Sequence, residues 1–179
     1  DGFPFIIGGD HSISYPIIKA LHDTCTGQVG IIHFDAHLDL VDENHLQGKY
    51  SQSSEIRRAL ELERVQPENI VQIGVRGFNY PWYRDYLKDI GIKQYTAYDV
   101  HKGDPEKIAD ETLERLSGCD KIYLTFDIDA LDPGYAAGTG TPQFGGITPR
   151  MALTLLEKIF SELNVIGFDI VEVAPSLDP

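Results

Sequence analysis

Apolar residues along this chain come in short continuous runs, and the runs are separated by stretches of helical periodicity. "FPFIIGG" (3–9), "VGIIHFD" (29–35), "NIVQIGVR" (69–76), "KQYTAYD" (93–99), "KIYLTFDID" (121–129) and "NVIGFDIVEV" (164–173) predict strands. Amphipathic segments near 12–22, 53–63, 80–90, 104–117 and 148–162 predict the helices between them. Ser53 or Ser54, Asp104 and Thr148 stand where N-caps belong. Pro105 and Pro149 follow at first helical positions, where a missing N–H costs nothing. Strands that are apolar throughout suit a parallel sheet covered on both faces. Strand and helix alternating this often predict a doubly wound α/β domain. No internal repeat, linker or low-complexity tract interrupts it.

Composition narrows the classes of partner. The chain has 179 residues, enough for one domain with a real core, and its 42% hydrophobic and 24% charged content excludes a disordered or fibrous chain. A net charge of −13 argues against nucleic acid and anionic membrane as partners, since both demand a basic surface. It suits a cationic small substrate or bound metal. Cys25 and Cys119 lie far apart without metal-type spacing, so both read as thiols in a reducing cytoplasm. No run approaches the ~18 apolar residues of a membrane span, and no signal peptide pattern is visible. The chain lacks an initiator Met, opens inside an apolar run and stops at "SLDP" directly after a strand-like run. Residues 1–179 are therefore expected to form a single domain that is a fragment, lacking N-terminal and C-terminal elements.

The chemistry concentrates where strands end. In "IIHFDAHLDL" (31–40), Asp35, His37 and Asp39 recur every second residue, which places them on one face. Carboxylates this close repel unless a cation lies between them. Asp10 and His11 follow the first strand, Asp127 and Asp129 finish "YLTFDID", and Glu172 lies near the end of the last strand. Sites in open α/β sheets form beyond the carboxyl ends of the strands, so these groups are expected on one rim. Asp35, Asp39, Asp127 and Asp129 balance two divalent cations, with His11 and His37 as neutral nitrogen ligands. Oxygen-rich ligation with a minority of imidazole suits a borderline-hard ion such as Mn²⁺ better than a structural zinc site.

"GGDHSIS" (8–14), "FDAHLDL" (34–40), "TFDIDALDPGYAAGTGTPQFGG" (125–146) and "GFDIVEVAPSLDP" (167–179) resemble the four signatures of the ureohydrolase family, the arginases, agmatinases and their relatives. The resemblance spans essentially the whole chain, in the family's order. It implies a three-layer α/β/α sandwich and a pair of Mn²⁺ ions that hydrolyse a guanidino group. It further implies that His11, Asp35, Asp39 and Asp127 hold one ion, and His37, Asp35, Asp127 and Asp129 the other, with Asp35 and Asp127 bridging. Asp39 would accept a hydrogen bond from the attacking hydroxide, Asp129 would relay a proton to the departing amine, and Glu172 would bind the substrate guanidinium. The family assembles as trimers or hexamers, so a homo-oligomer is expected.

One position departs from the pattern. Gln52, in "GKYSQSSEIRR" (48–58), occupies the place where arginases carry a proton-shuttling histidine. An amide has no useful pKa near 7 and cannot replace imidazole in that role. His45 or a water chain is a substitute, and a metal-binding relative of reduced activity is the alternative reading. Val41 and Gly48 stand at loop positions where arginases hold the amino-acid end, and "AAGTGTP" (136–142) is closer to the agmatinase-like branch. Agmatine, cleaved to putrescine and urea, is the first expectation, with guanidinobutyrate, arginine and formimino-glutamate as alternatives. A one-zinc deacetylase of related fold is disfavoured by the Asp-Ala-His-x-Asp and Asp-x-Asp set.

Overall fold

The computed structural model describes residues 2–77 and 83–178. Among them, β1 (Phe5–Ile7), β2 (Val29–Phe34), β3 (Ile70–Val75), β4 (Lys93–Thr96), β5 (Lys121–Asp127) and β6 (Val165–Val171) form one sheet. The strand order is β1-β6-β5-β2-β3-β4, and every pairing is parallel. Alternate residues of each strand face opposite ways. On one side Ile31, Ile70 and Tyr123 pack with Ile18 of α1 (Ser14–Thr24), Ile56 of α2 (Glu55–Ala59) and Tyr83 of α3 (Tyr83–Ile90). On the other, Ile32, Phe34, Ile73 and Leu124 pack with Val100 of α4 (Ala97–Lys102), Ile108 of α5 (Pro105–Leu116) and Leu155 of α6 (Pro149–Glu162). The result is the expected three-layer α/β/α sandwich.

Interior strands follow the rule for sheets covered twice: every residue of β2 and of β3 is buried. β1 departs from it. This strand pairs with β6 alone at the sheet edge, and Phe5 and Ile7 are 53% and 74% exposed.

Local signals explain where elements start and stop. Asp104 and Thr148 accept hydrogen bonds from the backbone N–H groups of Glu106 and Met151, so they cap α5 and α6 as expected. Ser54 precedes α2 without capping it, because its hydroxyl pairs with that of Ser51 at 2.6 Å. The helix expected over 53–63 is correspondingly short. The strand expected over 93–99 ends at Thr96, where a reciprocal capping box with Asp99 turns the chain into α4. Of the segment expected helical over 80–90, residues 80–82 lie outside the described residues.

The topology sets where a site forms. From β2 the chain moves outward through β3 and β4, then returns to the opposite side of β2 as β5 and β6. A crevice is left beyond the carboxyl ends of β2 and β5, the switch point of the sheet. No helix among the described residues is long and apolar enough to cross a membrane.

Candidate metal centre

Both sides of that crevice carry acids. Beyond β2, Asp35 N–H donates to the Ile73 carbonyl, and Arg76 and Gly77 N–H donate to the Ala36 carbonyl at 2.8 and 2.7 Å. The turn therefore stays tied to β3. Gly77 is required there, because a Cβ would lie 2.6 Å from a ring carbon of His37. Beyond β5, Asp127 accepts from Asp129 N–H at 2.8 Å, and Asp129 accepts from Ala36 N–H at 3.0 Å. That last bond joins the two strand ends. Arg76 holds the following loop through carbonyls, donating to those of Asp129 at 2.8 Å and Gln143 at 2.7 Å.

The six residues expected to hold metal converge as two groups. His11 Nδ1 lies 3.0 Å from Asp35 Oδ2, 3.2 Å from Asp39 Oδ2 and 3.3 Å from Asp127 Oδ2. His37 Nδ1 lies 3.2 Å from Asp35 Oδ1 and 3.1 Å from Asp129 Oδ2. Asp35 thus gives one oxygen to each group. Asp127 turns Oδ2 toward His11 and commits Oδ1 to the Asp129 N–H.

Backbone strain marks the same place. Among the described residues, Asp39 (φ 50°) and Glu172 (φ 61°) are the non-glycine residues in the left-handed region. Glu172 Oε1 accepts from His11 N–H at 2.8 Å. Gln52 and Glu172 line one cavity of about 190 Å³ together with His37, Asp39, Asn44 and Asp127. Val41 and Gly48 are expected to offer the substrate no polar side chain, and His45 is a candidate substitute for the shuttle; none of the three lines this cavity. Val41 is in the core, His45 is exposed and does not line the cavity, and Gly48 closes a tight backbone pair with Asn44. Asn44 is the polar side chain that reaches in.

Burial and crowded charge shift both imidazoles of the two groups and several of the acids. Burial lowers the affinity of His37 for protons, but Asp129 and Asp35 overcome it and raise its pKa to about 11. His11 is raised well above its ordinary value against the same burial, by Glu55 and the three aspartates. Burial and repulsion from Asp35 push Asp127 and Asp129 up. Asp35 is held well below the usual range despite burial, chiefly by His33. Burial also raises Glu172. Each imidazole position thus demands positive charge, as a proton or as a metal ion.

Several participants were not anticipated. Thr125 donates its hydroxyl hydrogen to Asp169 at 2.6 Å, so at 2.9 Å it accepts from His11 Nε2. A ring proton is fixed on Nε2, and Nδ1 is the atom turned toward the carboxylates. His33 and Glu55 are both buried behind Asp35 and Asp39. His33 was legible: the period of two that groups Asp35 with His37 includes it. So was Asp169, an acid inside an apolar run. Glu55 had no such signal.

A parallel sheet whose switch-point crevice gathers carboxylates and imidazoles defines an α/β protein with a cluster able to hold divalent metal. The family model described as "Arginase family" matches residues 1–179, and the chain belongs to that family. It is 39% identical over 176 residues to the mitochondrial agmatinase of Gallus gallus, covering 98% of this chain and 51% of that protein. It is 39% identical over 177 residues to the mitochondrial guanidino acid hydrolase of Homo sapiens, covering 98% of this chain and 49% of that one. Among solved structures, formimidoylglutamase from Bacillus subtilis superposes with a TM-score of 0.89 at 32% identity, covering 99% of this chain and 55% of that one. The chain spans about half the length of the curated relatives it matches.

Proposed function

We propose that this crevice is a binuclear manganese centre that hydrolyses a guanidino C–N bond with release of urea, with agmatine as substrate and putrescine as the other product. The observation that carries the reading is the Asp35 carboxylate, divided at 3.0 and 3.2 Å between two imidazoles that each face further acids. The residues fit the ions. His11 Nδ1 and Asp35 Oδ2 are buried without a hydrogen-bond partner, and the donor set is oxygen-rich with imidazole and no thiolate. His11, Asp35, Asp39 and Asp127 would hold one ion, and His37, Asp35, Asp127 and Asp129 the other. Bound there, the pair supplies Lewis acidity and a lowered water pKa.

The chain's own groups then divide the work. Glu172 has Oε1 held by His11 N–H, and its carboxylate pairs with the guanidinium in the cavity and orients it. Asp39, on the cavity wall, accepts a hydrogen bond from the attacking group. Asp129 Oδ2, in contact with His37 Nδ1 and Thr141 Oγ1, would take the proton given up by the attacking group and pass it to the departing amine. No Lys or Arg lines the cavity among the described residues, which favours a substrate without an α-carboxylate. A cytoplasmic setting belongs to the same reading and is supported by the free thiols of Cys25 and Cys119. Urea release by the full-length protein with Mn²⁺, across agmatine, guanidinobutyrate, arginine and formimino-glutamate, tests it. Agmatine is expected to give the highest kcat/KM. Release of urea from none of them overturns the hydrolase reading.

Gln52 faces the same cavity and cannot carry a proton out of it. Restoring an imidazole with Gln52→His is expected to raise kcat on the order of 10²-fold, the low end of a general acid–base contribution. An unchanged kcat, with the substitution verified to fold, means that protons leave by another route.

A further inference from the structure

We propose that Arg76 is a positioning residue for substrate, whose guanidinium clamps both ends of the 131–147 loop and so holds the loop's middle against Glu172. The inference rests on the hydrolase reading above and deepens it, by naming what keeps the Glu172 end of the cavity in shape. Arg76 does not itself line that cavity, whereas Thr141 of the loop does. Thr141 Oγ1 donates to Asp129 Oδ2 at 3.3 Å, and the Gly138 carbonyl accepts from Ala174 N–H at 2.8 Å. Between them, a Cβ on Gly140 would lie 3.9 Å from Glu172 Oε2, so the loop backbone passes beside the substrate-binding carboxylate.

Little in the loop can hold this shape unaided. Residues 132–146 form neither helix nor strand, and Gly134, Gly138, Gly140, Gly145 and Gly146 raise the entropy lost on ordering them. The Arg76 fork supplies the order. Its Nη2 donates to the carbonyls of Asp129, Leu131 and Gln143 at 2.8, 3.2 and 2.7 Å. Its Nε donates to that of Phe144 at 3.1 Å, and its Nη1 to those of Ala130 and Gly74 at 3.3 and 3.0 Å. Residues 129–131 lead into the loop, 143 and 144 lead out of it, and Gly74 belongs to β3. One planar group thus spans both ends and fastens them to the sheet.

The packing around the fork leaves no slack. A Cβ on Gly146 would lie 2.6 Å from Arg76 Nη2 and 2.3 Å from the Asp132 nitrogen, so a glycine is needed there. Asp132 completes the clamp from the acceptor side, its Oδ2 taking the N–H groups of Gly145 and Gly146 at 2.8 and 3.1 Å. Arg76 N–H meanwhile donates to the Ala36 carbonyl at 2.8 Å, inside the turn that carries Asp35 and His37. The loop is thereby registered on that turn through main-chain carbonyls. A lysine ammonium keeps the charge but is a compact point that cannot reach both ends at once.

The test compares Arg76→Lys and Arg76→Met in the full-length protein, with agmatine as substrate and excess Mn²⁺, well below the melting temperature. In both variants kcat/KM should fall about 10²-fold, the cost of a small misplacement that starts away from the chemistry. Both should still bind two Mn²⁺, since Asp129 keeps its own bond from Ala36 N–H. Chymotrypsin should cut both faster than the unmodified protein, and only after Tyr135 and Phe144, which are 63% and 91% exposed. Asp132→Ala frees the same end of the loop without touching Arg76 and should move both readouts the same way, so it decides the matter if neither Arg76 variant folds. An unchanged kcat/KM overturns the proposal. So does recovery in Arg76→Lys, because charge alone then suffices, or loss of a metal ion, or cleavage spread along the whole chain, which marks general instability. Absence of urea release by the unmodified protein overturns the hydrolase reading instead, and the cleavage pattern then decides the clamp.

Discussion

Asp35→Asn is expected to release both ions at once and to lower metal affinity by about 10²–10⁴. The figure is the loss of one partner from a buried charge set, about 3–5 kcal/mol at about 1.4 kcal/mol per tenfold. The cause is the division of one carboxylate between two groups, Oδ2 toward His11 and Oδ1 toward His37. Asparagine offers one neutral oxygen, and its nitrogen cannot ligate. Oδ1 also accepts the His37 N–H at 2.5 Å, so the substitution additionally loosens the turn that aims His37. Asp129→Asn is the control. Asp129 touches only the His37 group, so one ion should remain with His11, Asp39 and Asp127. Metal analysis after gel filtration separates the cases: near zero ions for Asp35→Asn, about one for Asp129→Asn. Two ions retained by Asp35→Asn contradict the bridging assignment.

Why the acids were visible in the sequence and their supports were not follows from range. Strand periodicity is local, so Asp35, His37 and Asp39 declare a common face within five residues, and the run "YLTFDID" declares Asp127 and Asp129 in the same way. Their meeting needs only the rule that parallel strands present their carboxyl ends together. Glu55 shows the opposite case. As the first residue of a short amphipathic helix it reads as a solvated acid suited to the helix dipole. Only the packing of α2 against α1 turns it inward beside His11 and His33. Arg76 is similar: its neighbours in sequence say only that a strand has ended, whereas the carbonyls of Asp129 and Gln143 that it holds lie more than fifty positions away. The strand expected through 99 failed for a local reason that was legible, since Thr96 and Asp99 have the spacing of a capping box. Asn44 on the cavity wall was not legible, because loop side chains obey no period. Its Oδ1 accepts from the N–H groups of Leu46 and Gln47 at 2.9 and 3.3 Å.

The metal-free chain is expected to lose stability as pH rises from about 6.5 toward 11, and the metal-filled chain is not. His37 has its pKa raised from 6.5 to about 11 in the folded state. Across that window the folded chain holds a proton that the unfolded chain has released, so stability is fully present below the lower value and drains away as pH climbs through the upper one. His11 is raised too and adds in the same direction. Asp35 is lowered, but its contribution is complete well below this window and adds no slope within it. Each proton so held gives a slope of up to about 1.4 kcal/mol per pH unit. Metal must displace both protons before the imidazoles can ligate, so Mn²⁺ affinity should rise about 10²-fold per pH unit near neutrality, tenfold for each proton released. Calorimetric titration in buffers of differing ionisation enthalpy should therefore count at least two protons released per chain at pH 7, since the raised Asp127 and Asp129 add to the imidazoles. Melting curves with Mn²⁺ and with chelator should also draw further apart between pH 6.5 and 8.5. A separation that stays constant or narrows, with no protons released, would mean that the imidazoles are already bare in the metal-free chain, and the carboxylates around them would then have no cation to answer their charge.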